Sequence, residues 1–220
     1  MVSVRGRFVV LEGIDGAGTT TQVALLAERL RTLLVPVRAT REPSDGPVGA
    51  LARQVLSGRL VLPGGRAPGW MTMALLFAAD RMDHVESAID PFVSDGGVVV
   101  SDRYDASSLA YQSVSTGASA KEALEWIRSL NRHARRPDLT VVLDVSPEEA
   151  AERRKRRGEA AQLYDENEVQ RALASFYGEL AQHMPHDRVV HVRGAGTIEE
   201  VHARVWAAYQ QIHDGDASAS

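Results

Sequence analysis

The chain has 220 residues, a formal net charge of −4, 44% hydrophobic residues and no cysteine. These values favour one α/β domain, or one domain with a small lid, and they do not suggest general affinity for nucleic acid. The lack of cysteine excludes disulfides and thiol chemistry, and it agrees with a reducing cytoplasm. No segment is long and apolar enough to predict a membrane span, so we expect a cytoplasmic protein that binds no membrane.

Short apolar runs alternate with helical patterns along the chain. The first run, residues 8–11, is apolar on both faces, as a central strand of a parallel sheet should be. A glycine-rich loop follows, and then a helix whose apolar residues recur at helical spacing. Further strands are predicted at residues 35–40, 98–101, 139–145 and 189–192.

Helices are predicted between these strands. Ser146 and Thr197 are each followed three residues later by glutamate, which is the capping box that marks a helix start. The other predicted helices cover residues 49–56, 70–89, 105–115, 119–133 and 165–183. The alternation predicts an α/β fold, a five-stranded parallel sheet with helices on both faces. We expect a single domain over residues 1–213, with a small lid at about 153–164 and a disordered tail at 214–220.

A phosphate-binding loop is predicted directly after the first strand. Residues 13–20 fit the spacing G-x-x-x-x-G-K-[ST] at every position but one. In such a loop, backbone N–H groups and the positive end of the following helix dipole converge on an anion. Thr20 can offer its hydroxyl to Mg²⁺, but Thr19 occupies the lysine position, so catalysis does not follow from the loop alone. The predicted phosphate-binding residues are Gly13, Asp15, Gly16, Ala17, Gly18, Thr19, Thr20 and Thr21.

Charged residues come directly after two other predicted strands. Arg41 follows the second strand, and Asp102 and Arg103 follow the third. In open α/β sheets, ligands bind at the carboxyl ends of the strands. Asp102 could orient the waters of a metal ion, and Arg103 could bridge two phosphates. The alternative interpretation is a buried structural pair of Asp102 and Arg103.

Taken together, the motifs resemble those of bacterial thymidylate kinase. The segments that carry the resemblance follow the family's order and spacing over nearly the whole chain, at residues 8–22, 40–43, 76–81, 101–112 and 136–139. The resemblance implies phosphoryl transfer from ATP to dTMP, giving dTDP, with magnesium as cofactor and a homodimer as the assembly. Because such transfer depends on positioning and charge neutralisation, the site needs a phosphate cradle, a metal and several arginines.

The resemblance also implies roles for single residues. Phe77 would stack on thymine, and Arg81, four residues further on the same helix face, would hydrogen-bond the ring. Ser108 would touch the base edge, and Tyr111 would pack beneath the sugar and disfavour a ribose 2′-OH. For Ser108 and Tyr111 the alternative is helix surface and core packing. Further residues that the resemblance implies are Gln112, Arg41 and Arg103 for substrate binding, Asp15, Asp102 and Arg103 for catalysis, and Thr20 and Asp102 (through water) for the metal.

A basic run at residues 153–157 is the candidate source of catalytic charge. The phosphate loop has no arginine at Gly16 or Ala17, and family members without one there carry a catalytic arginine in a lid. Arg153 and Arg157 are our candidates, although the pattern does not distinguish among the arginines of the run. The alternative is a solvated basic helix end that is favourably placed against the helix dipole.

Three functions remain open at this point. The first is an active thymidylate kinase, and the second is a nucleotide-binding protein of the same fold in which Thr19 impairs catalysis. The third is a kinase for a different deoxynucleotide. The seven histidines form no recognisable metal-binding pattern, so magnesium is the only cofactor expected.

Overall fold

The computed structural model describes residues 6–114, 116, 120–158 and 167–217. Its described strands form one parallel sheet of five strands in the order β2-β3-β1-β4-β5. The strands are β1 (Arg7–Glu12), β2 (Val37–Arg41), β3 (Val98–Asp102), β4 (Leu139–Asp144) and β5 (Val189–Arg193). The predicted fold class is therefore confirmed.

Helices occupy the connections between the strands and cover both faces of the sheet. The helices are α1 (Thr19–Thr32), α2 (Pro47–Leu56), α3 (Trp70–His84), α4 (Asp90–Ser94), α5 (Asp105–Val114), α6 (Ala120–Asn131), α7 (Pro147–Arg157), α8 (Asn167–Gly178), α9 (Leu180–His183) and α10 (Ile198–Ala217). No described helix is both long and apolar enough to cross a membrane.

The central strand shows why both faces are covered. Side chains alternate along β1, so Val9 and Leu11 pack into one buried cluster together with Leu26 of α1. Phe8 and Val10 belong to a second buried cluster on the opposite face. Because both faces exclude water, the strand reads as a continuous apolar run, as a central strand of a parallel sheet should.

The helices differ from the sequence prediction by one or two residues at several ends and by more in three places. The helix predicted at 70–89 continues instead through a π-helical turn (Val85–Ile89) into α4. Pro91 lies in the first turn of α4; it has no N–H, and its ring would clash with the carbonyl four residues before it, which accounts for a widened turn there. The helix predicted at 165–183 is interrupted at Glu179, and residues 214–217 belong to α10 rather than to a tail. Residues 218–220 and 159–166 lie outside the described residues, and the second range includes residues 159–164 of the expected lid.

The carboxyl ends of three neighbouring strands lie side by side at one edge of the sheet. In the strand register, Asp102 stands beside Leu11 of β1 on one side and beside Arg41 of β2 on the other. The glycine loop leaves β1 at the same edge. The topology thus brings residues from three distant parts of the chain to one place.

Candidate active site

The glycine loop connects β1 to α1 with a backbone that only glycine adopts readily. Gly16 and Gly18 have φ of 93° and 98°, and a Cβ atom on Gly16 would lie 2.4 Å from the carbonyl oxygen of Ala150. Gly18 caps α1 without a side-chain hydrogen bond. The first amides of α1 are therefore left for an anion, in line with the predicted phosphate cradle.

Two oxygen ligands meet at the mouth of this loop. The Thr20 hydroxyl donates a hydrogen bond to the carboxylate of Asp102. Hydroxyl and carboxylate oxygens are hard ligands of the type that Mg²⁺ prefers, and Mg²⁺ takes its other ligands from water and substrate phosphates. The described residues contain no cluster of three His, Cys, Asp or Glu side chains that could hold a metal alone. The pair therefore fits a magnesium ion shared with a nucleotide.

Thr19 is buried in the loop and brings no charge to it. Two guanidinium groups of α7 contact the loop backbone instead. Arg153 donates to the carbonyl oxygen of Ala17 (3.0 Å), and Arg154 donates to that of Asp15. Arg156 pairs with an exposed glutamate, and the side chain of Arg157 lies outside the described residues. Of the four basic side chains of the run that the structure describes, those of Arg153 and Arg154 thus donate to the backbone of the phosphate loop.

Arg103 crosses from the end of β3 to the glycine loop. Its guanidinium donates to the carbonyl oxygen of Gly13 (3.0 Å), to Asp15 Oδ1 (2.5 Å) and to the Ser107 hydroxyl (3.2 Å). The residue has φ of 71°, a left-handed conformation that is uncommon for a side chain of this size. Such strain persists only where surrounding contacts hold it, and it is concentrated at functional sites.

A cavity of about 140 Å³ opens beside Arg103. It is lined by Asp15, Glu42, Pro43, Leu56, Phe77, Arg81, Arg103, Tyr104, Ser107, Ser108, Tyr111 and Gln112. Seven of the residues predicted from sequence are among them, drawn from the glycine loop, α3, the end of β3 and α5. We refer to this space as the acceptor cavity.

Arg81 is fully buried at the back of the acceptor cavity. It donates to Glu42 (2.6 Å) and Asn131 (2.5 Å), and more weakly to Ser108 (3.1 Å). Its Nε has no hydrogen-bond partner in the described structure, and neither has Oε1 of Gln112. The Tyr104 hydroxyl, which lines the same cavity, is also without a partner in the described structure. The unsatisfied buried atoms around this cavity thus include a donor at Arg81 and an acceptor at Gln112, and a ligand could satisfy both.

Arg41 is the predicted binding residue that does not line the cavity. It stands at the carboxyl end of β2 beside Asp102, but its exposed side chain pairs with Asp45 at 2.7 Å. Its role in binding the acceptor remains a prediction.

A second cavity, of about 350 Å³, lies on the other side of the glycine loop. Its walls come from the loop itself, α1, α7 and the connection between β5 and α10. The lining residues are Gly16, Ala17, Gly18, Thr21, Gln22, Arg153, Arg156, Gly194, Gly196, Thr197, Ile198 and Val201. One phosphate loop therefore serves two cavities, and we refer to this one as the donor cavity.

Sequence reasoning missed several buried polar residues around the acceptor cavity. Glu12 is fully buried, and burial raises its pKa to about 7 although Arg103 acts in the opposite direction. Gln170 of α8 donates to Asp15 (3.2 Å), and Tyr177 of the same helix donates to Glu12 (2.9 Å). A charged residue at the end of an apolar strand could have drawn attention to Glu12. Nothing in the sequence around Gln170 and Tyr177 points to the site.

Two cavities that share a phosphate loop, with an arginine reaching from one to the loop, define a nucleoside monophosphate kinase of the P-loop class. The chain matches the family model described as thymidylate kinase over residues 11–205. It is 40% identical to the probable thymidylate kinase of Pyrococcus horikoshii, over 93% of this chain and 96% of that protein. It is 38% identical to the thymidylate kinase of Pelotomaculum thermopropionicum, with 96% of each chain covered.

A solved structure agrees with these relatives. The thymidylate kinase of Candida albicans superposes with a TM-score of 0.77 at 25% identity, covering 94% of this chain and 92% of that one. The chain belongs to the thymidylate kinase family. The predicted family is thus confirmed, while the narrower assignment to its bacterial members is not, because relatives such as that of Pyrococcus horikoshii are archaeal.

The buried pair of Arg81 and Glu42 gives a test of how the site is held together. Glu42→Gln would leave the guanidinium without its counter-charge inside the protein, so we expect the free energy of unfolding to fall by about 3–5 kcal/mol. The matched control is Glu28→Gln, since Glu28 pairs with Arg31 on the surface and should contribute less than about 1 kcal/mol. Urea denaturation measures both, and equal losses would contradict a buried pair.

Proposed function

We propose that this protein transfers the γ-phosphoryl group of ATP to dTMP, giving dTDP. The observation that carries the proposal is the arrangement of two cavities around one phosphate loop, with Arg103 extending from the acceptor cavity to Gly13 and Asp15 of that loop. A phosphate on the acceptor and the γ-phosphate of the donor would meet there. Catalysis of this reaction needs positioning and neutralisation of charge rather than a covalent intermediate.

The acceptor cavity has the features that a thymine base requires. Phe77 supplies an aromatic surface for stacking, and the unsatisfied Nε of Arg81 is a donor for a ring carbonyl. The unsatisfied Oε1 of Gln112 is an acceptor for the ring N–H, and the Ser108 hydroxyl lines the same cavity. Thymine offers the complementary pair, a carbonyl oxygen at O4 and an N–H at N3.

Other residues support a deoxynucleotide as the acceptor. Tyr111 is buried, and its ring lies 5.2 Å from the Arg103 guanidinium and lines the cavity. We expect this ring to pack beneath the sugar and to disfavour a ribose 2′-OH. Asp15 would contact the sugar and phosphate. Arg41 would have to leave Asp45 to reach the phosphate, which exposure of both side chains permits.

Magnesium is the cofactor we propose for the reaction. Thr20 and Asp102 would hold it, Asp102 through water, and when bound it would neutralise charge on the transferred phosphates. Arg103 would bridge the acceptor phosphate and the transferring group. Arg153 and Arg157 would add positive charge from α7 and from a lid over residues 153–164, and this lid would also close the donor cavity over ATP.

Two further properties belong to this proposal. Leu51 of α2 and Met71 and Leu75 of α3 leave 42%, 56% and 51% of their surface exposed, and a homodimer formed through these helices would cover them. A monomer by light scattering at all concentrations would contradict that assembly. We place the enzyme in the cytoplasm, where ATP and dTMP are available.

A panel of acceptors tests the reaction itself. With ATP and magnesium, we expect ADP release with dTMP and much less with dUMP, dGMP or thymidine. Tight dTMP and ATP binding by calorimetry without turnover would favour a nucleotide-binding protein impaired at Thr19. Preference for another acceptor would favour a kinase for a different deoxynucleotide.

Phe77→Ala tests the thymine site. Base stacking on an aromatic side chain contributes about 1–3 kcal/mol, so the free energy of dTMP binding should become less favourable by that amount. The affinity for ATP should stay nearly the same. Phe92→Ala is the matched control, because Phe92 packs on the other face of the sheet, next to the second buried cluster. Calorimetry that gives unchanged dTMP affinity for Phe77→Ala would remove this residue from the site.

Thr19 and Arg153 are expected to be coupled. The Arg153 guanidinium lies 3.8 Å from the point that a Cβ atom on Gly18 would occupy, so it is well placed to supply the charge that Thr19 lacks. Loss of one preorganised donor typically costs about 3–4 kcal/mol in the transition state, so Arg153→Ala should lower kcat severely. In a protein that also carries Thr19→Lys the same change should cost far less, whereas Thr19→Lys alone should raise kcat modestly or not at all.

A double-mutant cycle on kcat measures this coupling. Arg171→Ala is the control, because Arg171 is an exposed arginine of α8, and it should show no coupling to residue 19. Strict additivity of the Thr19 and Arg153 changes would contradict compensation. A rise of roughly a hundredfold or more with Thr19→Lys alone, the scale of one lost donor, would instead show an impaired native enzyme.

A further inference from the structure

Glu12, the last residue of β1, carries a buried carboxylate to which the phosphoryl-transfer scheme above gives no role. Its side chain accepts four hydrogen bonds. Oε1 accepts from the backbone N–H groups of Tyr104 (2.8 Å) and Ser107 (3.2 Å). Oε2 accepts from the hydroxyls of Ser107 (2.7 Å) and Tyr177 (2.9 Å). One carboxylate thus joins the end of β1, the start of α5 and the C-terminal end of α8.

The two amides belong to the corner at which the chain leaves β3 and enters α5. Ser107 lies in the first turn of α5, whose N–H groups have no partner within the helix. A carboxylate at this position satisfies such groups and is favoured by the positive end of the helix dipole. Glu12 therefore acts as the cap of α5, although it comes from a strand more than 90 residues earlier in the chain.

Arg103 is the first residue of this corner, which covers residues 103–107. It has the left-handed backbone conformation that needs support from its surroundings, and its guanidinium also donates to the Ser107 hydroxyl that Glu12 holds. A chain of hydrogen bonds from Glu12 to Ser107 to Arg103 links the carboxylate to the arginine that contacts the phosphate loop. A change in the charge of Glu12 would therefore affect Arg103 through these hydrogen bonds and also through direct electrostatic interaction.

We propose that Glu12 is a positioning residue for the transfer step: its ionised carboxylate fixes the corner at residues 103–107 so that Arg103 points at Gly13 and Asp15. This inference rests on the proposed function, in which Arg103 bridges the two phosphates. Glu12 itself is not among the residues that line the acceptor cavity.

The ionisation of Glu12 allows an experiment to distinguish a role in positioning Arg103 from a role in packing alone. The charged and titratable groups that interact with it are Arg103, Tyr111 and Tyr177. Burial raises the pKa of Glu12 to about 7 in spite of the opposing Arg103 charge. A proton would add at Oε2, because the hydroxyls there can turn to accept a hydrogen bond whereas the amides at Oε1 cannot. The neutral form predominates below this pKa, so support for the corner should weaken as the pH falls.

The first experiment compares the pH dependence of the wild type with that of Glu12→Gln, which has the shape of the protonated form. We expect the wild-type kcat to rise with pH through about 7. For Glu12→Gln, kcat should stay at all pH values near the kcat that the wild type has at low pH. At pH 8 it should therefore be on the order of ten- to a hundredfold below the wild-type kcat, with a smaller change in KM for dTMP. Ionisation of the dTMP phosphate, near pH 6, affects both proteins equally. A wild-type kcat and pH profile in Glu12→Gln would overturn the proposal.

A second variant keeps the test decisive if Glu12→Gln does not fold. Tyr177→Phe removes one donor to the Glu12 anion, so the acidic limb of the kcat profile should move to higher pH. Tyr209→Phe is the matched control, because Tyr209 is a buried tyrosine of α10 outside both cavities, and its profile should be that of the wild type. Identical profiles for all three proteins would also overturn the proposal.

A crystal structure of Glu12→Gln, or of Tyr177→Phe at low pH, provides a measurement that does not depend on turnover. We expect loss of the contact between the Arg103 guanidinium and Asp15 that measures 2.5 Å in the native chain. Retention of this contact with unchanged φ at Arg103 would contradict the positioning role. Absence of dTMP phosphorylation by the wild type would instead count against the proposed function, and the structural comparison would still decide the role of Glu12.

Discussion

Burial of charge at the carboxyl edge of the sheet is the constraint on which the rest of the site depends. Arg81 and Glu42 form an ion pair with almost no solvent contact, and Arg103 is tied to Asp15. A charge removed from water is tolerated only when partners are placed to compensate for it. Each of these groups is compensated by residues from other strands and helices, so the fold and the side-chain geometry of the site determine each other.

This constraint matters because phosphoryl transfer depends on charges that are in position before the reaction begins. Arg81 and Arg103 are each fixed by several hydrogen bonds to protein atoms. Ordering a long arginine side chain on binding has an entropic cost, and in this site that cost is met during folding. Nε of Arg81 and Oε1 of Gln112 are left unsatisfied at the acceptor cavity, and under the proposed function a bound thymine base would offer partners to both. Folding energy is thereby converted into preorganisation for substrate and transition state.

The sequence predicted most of the fold and the part of the site that is local in the chain. Apolar strands, glycine spacing and the charges of Asp102 and Arg103 after a strand are signals within a few residues. Contacts made across the chain gave no such signal: Gln170 reaches Asp15 over 155 positions, and Tyr177 reaches Glu12 over 165. The sequence of α8 predicts only an amphipathic helix. Which of its polar residues face the site depends on how the helix packs against the rest of the protein.

Thr19 occupies the position at which the phosphate-loop motif has lysine, so the positive charge near the phosphates must come from other residues. A lysine in the loop is present whenever the loop is folded, whereas Arg153 belongs to α7, the helix that leads into the expected lid. Its planar fork also contacts Ala17 and Gly194 at once, which a lysine could not do in the same way. With only two lysines among 25 basic residues, the chain relies on arginine for nearly all its positive charge. In the described structure Arg153 already contacts the loop backbone at Ala17. The charge that would compensate for Thr19 is therefore in place once α7 has packed against the loop, and no lid movement is needed to bring it there.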